Sequence, residues 1–226
     1  MTIDYRLIII SLITIGLIAV EIGLRSLFGF GNPLIYIGDE QIGYLLAPNQ
    51  HTRRFGNQID INEYSMRSGS IAKIPAPATL RVLLLGDSIV NGGWWTDQKN
   101  TISSLLTASL SSSTHDNYQQ VEVLNASANS WGPRNQLAYL QRFGNFQSQV
   151  VVLVINTDDL FATAPTSLPV GRDRNYPDKK PPLALIEVWQ RYIQKSQPDP
   201  ELAAVQKEAG DRVGINLVVC QGNFAK

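Results

Sequence analysis

Apolar positions along this chain fall into two kinds of run. The first is long and nearly unbroken: from Leu7 to Val20 almost every residue is apolar, and after Glu21 the character resumes to Leu24 before Arg25. Counted from Tyr5, that is about 20 residues, the length an α-helix needs to cross the hydrocarbon layer of a membrane. No small-x-small cleavage site follows, so residues 1–30 are expected to be a retained transmembrane signal-anchor. A cleaved signal and a buried helix are the competing readings. Arg6 precedes the run and Arg25, Arg53 and Arg54 follow it, so flanking charge does not decide orientation.

The second kind is short and punctuated. LRVLLLG is a brief continuous apolar run, as expected of a strand buried on both faces, and VEVLNAS, VVVLVINTDDL, the most strongly apolar, and GINLVVC read as the second, third and fourth strands. Between them the spacing changes to that of helices. NTISSLLTASLSSS places Ile102, Leu105, Leu106 and Leu110 on one face, and NQLAYLQRFGNF does the same with Leu137, Leu140 and Phe143. Further helices are predicted over Leu183 to Gln194 and over PELAAVQKEAG, after a Pro-rich excursion, ATAPTSLPVGRDRNYPDKKPP. Strands alternating with helices predict an α/β domain over residues 80–226 with a parallel sheet. Residues 31–79 show little periodicity and read as an irregular arm and linker, in which IGYLLAPNQ and NQIDINEYSMRS could supply short extended pieces, with KIPAPAT at the boundary.

Composition narrows the function classes. The chain has 226 residues and no net charge, which removes the electrostatic reason to expect nucleic acid as a partner. One cysteine, Cys220, excludes an internal disulfide framework and a multi-cysteine metal site, and two histidines disfavour a histidine metal cluster. No metal and no cofactor is called for. Cys220 itself reads as a buried, inert thiol.

Ligands of parallel α/β sheets bind beyond the carboxyl ends of the strands. Three polar clusters fall there: Gly86-Asp87-Ser88, Asn125-Ala126-Ser127 and Asn156-Thr157-Asp158-Asp159. Ser88 at such a strand end can attack a carbonyl if a base takes its proton, with helix-start N–H groups facing the oxyanion. The plainer reading is that Asp87 and Ser88 cap a helix and Asn125 bonds a turn. Neither the G-x-S-x-G elbow nor a Walker A lysine is present.

Three segments in order, LLLGDSIVNGG, VLNASANSWG and VLVINTDDL, resemble the first three blocks of the SGNH/GDSL hydrolases. The likeness runs from Arg81 to Asp159 and more weakly to Cys220. It implies a three-layer α/β/α flavodoxin-like fold and ester or acyl-group chemistry. It also implies roles: Ser88 as nucleophile with its own N–H as one oxyanion donor, and Ser130 at the glycine whose N–H is a second. The family's third donor is an asparagine, and its place falls on Asp158, an acceptor when ionised; Asn156 takes that place if the turn shifts by two residues. Gly86, Asp87, Asn125 and Asp159 would support the site.

The family's base is a histidine in a D-x-x-H segment after the last strand, and no histidine follows His115. His115 belongs to an exposed loop at the far edge of the sheet, and His51 to the arm. Two expectations follow: a C-terminally incomplete hydrolase, impaired as it stands, or a non-catalytic relative that keeps the fold for binding. An incomplete sheet should expose apolar surface or take a partner chain. Trp94, Trp95 and Trp131 either line an acyl or sugar pocket or pack beneath it. Asp173, Arg174 and Tyr176 lie in the excursion, as lid or as surface packing, and Arg53-Arg54 reads as a solvated pair near the membrane. The expected whole is a single-pass membrane protein whose α/β domain lies on the extracytoplasmic side and meets a small acyl ester or acylated glycan.

Overall fold

A computed structural model of the chain describes residues 5–113, 118–157, 159, 162–195 and 199–205. His115, Asp158, Cys220 and the strand expected over GINLVVC lie outside the described residues.

The first apolar run forms helix α1, Tyr5–Gly23, with no buried residue, continued by one wide turn over Leu24–Phe28. It is long and apolar enough to cross a membrane. Gly29 ends it in the left-handed region (φ 75°), and a β-carbon there would lie 1.9 Å from the Arg53 carbonyl oxygen, so only glycine fits. The lower end of α1 is fastened to a short helix, α5, Ala184–Val188. The Glu21 carboxylate accepts hydrogen bonds from the Ala184 and Leu185 N–H groups at 2.8 and 3.0 Å. It also accepts from Arg25 Nε at 2.6 Å, while Arg25 Nη2 donates to the Pro182 carbonyl at 2.9 Å. Two orphan N–H groups at the start of α5 thereby gain a partner.

The arm is not irregular. Strands β1, Tyr36–Asp39, and β2, Gly43–Leu46, form one antiparallel hairpin. Strands β3, Gln50–Arg54, and β4, Asn57–Ile61, form a second. The latter turns through Phe55 and Gly56, both at positive φ (48° and 87°), the two-residue primed turn whose twist matches the flanking strands. Both hairpins feed the main core: Ile42, Leu46, Ile59, Ile61 and Met66 pack with residues of the α/β part.

The α/β part follows the predicted order. Strand β5, Thr79–Gly86, leads to a one-turn helix, α2, Ser88–Asn91, then to α3, Ile102–Ser113. Strand β6, Gln120–Ser127, helix α4, Pro133–Phe143, and strand β7, Val150–Leu153, come next. The three strands are parallel in the order β6-β5-β7, with Gly86 beside Ser127 and Leu85 beside Leu153. Alternation along β5 sends Leu83 and Leu85 to one face, where Tyr139 of α4 and the hairpins cover them. Val82 and Leu84 point to the other, toward Val90 of α2 and Leu110 of α3. The most strongly apolar run supplies the third strand as expected; among the described residues β7 forms an edge of this sheet, and all four of its side chains are exposed. The helix over PELAAVQKEAG begins as expected at residue 200.

Candidate functional site

The central strand delivers Ser88 to the edge of the sheet, and a tight turn sets its direction. Asp87, not Ser88, is the cap of α2: its Oδ1 accepts from the Ile89 N–H at 2.8 Å. Ser88 is the first helical residue, half-buried, and among the described residues nothing hydrogen-bonds its hydroxyl. The turn is tight because Gly86 lacks a side chain. A β-carbon there would stand 2.3 Å from Val90 Cγ2, so α2 folds directly back onto β5.

Buried polar groups hold α2 in place from two sides. Asn125 sits in strand β6 rather than in a turn, fully buried, and donates to the Val90 carbonyl at 2.8 Å. Asn91 donates to the Ser127 carbonyl at 3.1 Å, and the Ser127 hydroxyl donates to Asn125 Oδ1 at 2.5 Å. From the other side comes Arg67, which the sequence reading passed over. Fully buried, it donates to the Asn91 carbonyl at 2.7 Å and also to those of Gly93 and Thr96. Burial draws its pKa down to about 10, against the opposing pull of Asp97 and Asp60, so it remains a cation at neutral pH.

Ser88 opens into a cavity of about 540 Å³. Ser130 lines it too, so the structure brings these two predicted site residues together. Ser130 has φ 57°, the left-handed conformation that glycine takes at least cost. Beside it, Asn129 also lines the cavity, and its buried side-chain oxygen has no hydrogen-bond partner among the described residues. Its position inside VLNASANSWG was the available signal. Three packed tyrosines, Tyr36, Tyr44 and Tyr176, form one wall. Tyr44 donates to the Asn129 carbonyl at 2.7 Å, and Tyr176 donates to the Ser130 hydroxyl at 3.0 Å. Burial, reinforced by the neighbouring phenols, raises the pKa of Tyr36 and Tyr44, so both stay protonated.

In the third turn, the described residues Asn156 and Asp159 do something other than face the cavity. Asn156 Nδ2 donates to Asp87 Oδ2 at 2.7 Å, and the Asn156 N–H donates to Asp159 Oδ2 at 2.8 Å. These residues brace the Asp87 cap and are not among the residues lining the cavity. Trp94 and Trp95 do line it, whereas Trp131 is fully buried and donates Nε1–H to the Tyr44 carbonyl at 2.9 Å. Of the three excursion residues singled out, Asp173 and Tyr176 line the cavity and Arg174 is not among the residues lining it.

His51 bonds Asp60 Oδ1 at 2.9 Å across the β3–β4 hairpin. Its neighbours Thr52 and Arg54 line the cavity on alternate positions, so His51 is exposed and lies away from the cavity. The expected solvated arginine pair is likewise half wrong: Arg53 is exposed, but Arg54 is buried over the Phe30 ring and paired with Glu187. Among the described residues no three acidic, histidine or cysteine side chains gather as a metal site. Comparison of the sequence with protein-family models and with curated proteins finds no match.

Proposed function

We propose that this chain is a membrane-anchored serine hydrolase or acyltransferase of the SGNH/GDSL kind, with Ser88 as its nucleophile and its α/β domain on the extracytoplasmic side. One observation carries the reading. A serine hydroxyl without a partner among the described residues starts a helix at the carboxyl end of the central strand, facing a cavity that also holds Asn129 and Ser130. The order β6-β5-β7 supports it, because flavodoxin-like sheets begin with that order and bind ligands at the point where it reverses.

In this mechanism Ser88 Oγ bonds to the acyl carbon while its proton passes to a base. The carbonyl electron pair moves onto oxygen, and the oxyanion accepts hydrogen bonds from the Ser88 and Ser130 N–H groups and the Asn129 amide. Collapse expels the alcohol and leaves the acyl group on Ser88, for water or a second alcohol to remove. Asn129 thus supplies the amide donor, because the Asn156 amide is engaged with Asp87.

No imidazole lines the cavity among the described residues, which favours a second reading: a binding protein that holds an acyl ester or acylated glycan without turnover. A fluorophosphonate probe separates the two. The hydrolase reading expects covalent labelling that disappears in Ser88→Ala. An unlabelled intact protein that still binds acylated ligand would establish the binding reading instead.

A further inference from the structure

The cavity wall that faces away from the tyrosines is aromatic and joins the membrane helix without a break. Phe28, the last residue of the apolar helical segment, packs against Phe55 with ring centres 5.9 Å apart. Phe55 packs on Trp94 at 5.4 Å, and Trp94 on Trp95 at 5.4 Å. Phe30 ties Phe55 to Tyr192 through contacts of 5.7 and 6.1 Å. Phe30, Phe55, Trp94, Trp95 and Tyr192 all line the cavity that holds Ser88.

Most of these rings are not covered. Phe28, Phe55, Trp94, Trp95 and Tyr192 are exposed, Tyr192 by 63%. Exposed aromatics in such a contiguous group mark an interaction surface. Helix length fixes its level. The segment from Tyr5 to Phe28 has 24 residues, about 36 Å at 1.5 Å per residue, against a hydrocarbon layer of about 30 Å. The Phe28 end therefore emerges in the headgroup layer, where tryptophan and tyrosine rings are most at home. Beside it, α5 is held to Glu21 and runs on into a turn that exposes Trp189, Tyr192 and Ile193 on one side, the pattern of a helix lying in an interface.

We propose that this aromatic wall is seated in the lipid interface, so that the cavity is loaded from the bilayer and takes the apolar part of a membrane-resident amphiphile. This deepens the hydrolase reading by assigning its substrate class, a lipid-borne acyl or glycan ester, and it rests on that reading only for the chemistry. The occupant is lipid rather than protein because the surface is continuous with the spanning helix, whose side chains are exposed throughout.

The test uses the full chain in phosphatidylcholine nanodiscs doped with a phosphatidylcholine that carries a diazirine in its acyl chain. After irradiation and digestion, adducts are expected on peptides bearing Phe55 and Trp94-Trp95 as well as on α1. Ser88→Ala should leave them unchanged, so the outcome does not depend on whether Ser88 reacts. Trp94→Gln/Trp95→Gln should lose the cavity-wall adducts and keep those on α1. Far-ultraviolet dichroism and a Tm matching the wild type show that this variant is folded. Adducts confined to α1 in the folded wild type would overturn the proposal and leave the aromatic surface to a protein partner.

Discussion

At the scale of single residues, the position of Ser88 depends on an absent side chain. Gly86 allows Val90 to sit against the strand backbone, and Gly86→Ala would drive a methyl group into a stiff, buried β-branched neighbour. The substitution is expected to cost about 1–3 kcal/mol and to displace α2. Thermal unfolding should show the loss, and Gly86→Ala/Val90→Ala should recover part of it by vacating the space. A Tm unchanged by Gly86→Ala would mean that the close approach is not maintained in solution. Residues next to one another in sequence were legible here: the strand end, the tight turn and Ser88 were all visible in LLLGDSIVNGG. Arg67 was not. It reaches the loop 24 to 29 residues downstream, and its spacing in sequence carries no trace of that contact. Asn129 was quoted in a motif but given no role, since only burial shows that its amide lacks a partner.

Among the elements, the regular alternation of the α/β part was readable because each run is long enough to display a period. The hairpins were legible only as short extended pieces in IGYLLAPNQ and NQIDINEYSMRS, because their strands have four or five residues and are covered irregularly; β2 is buried at all four positions. What holds the first hairpin is its turn. The Asp39 carboxylate is partly buried, which by itself would raise its pKa. The Ile42 and Gln41 N–H groups and Arg142 outweigh that and hold it below the usual range. A carboxyl with a lowered folded pKa stabilises fully above its unfolded value, about 3.9, and the contribution is lost as pH falls through the folded pKa. Asp39→Asn should therefore be less stable by about 1–2 kcal/mol at neutral pH. The gap in Tm should close on acidification below pH ~4. A gap that stays constant from neutral pH into that range would show that the ionised form is not what braces the turn.

For the molecule as a whole, one buried carboxylate joins parts that are far apart in sequence. Glu187 of α5 accepts from Arg54 of β3, from Arg191 at 2.9 Å and from the Gly31 N–H at 2.6 Å. Anchor exit, hairpin and α5 therefore meet at a single group. Glu187→Leu strands the Arg54 charge and is expected to destabilise by about 3–5 kcal/mol. Arg54→Met/Glu187→Leu should be markedly more stable than Glu187→Leu alone, because no unpaired charge remains buried. Chemical denaturation of the variants in detergent measures both, and a double variant no better than Glu187→Leu would reject the pairing as the cause.

The grip of Glu21 on the first turn of α5 has a consequence for how the protein searches. A domain on a flexible tether sweeps a volume above its membrane and samples many heights and tilts. Here three hydrogen bonds join the helix end to the segment around α5, two through Glu21 and one through Arg25, and a fourth ties Arg25 to Glu21. On the membrane-anchored reading proposed above, this joint would hold Ser88 near one height, and the protein would find what it meets by drifting sideways, in two dimensions rather than three.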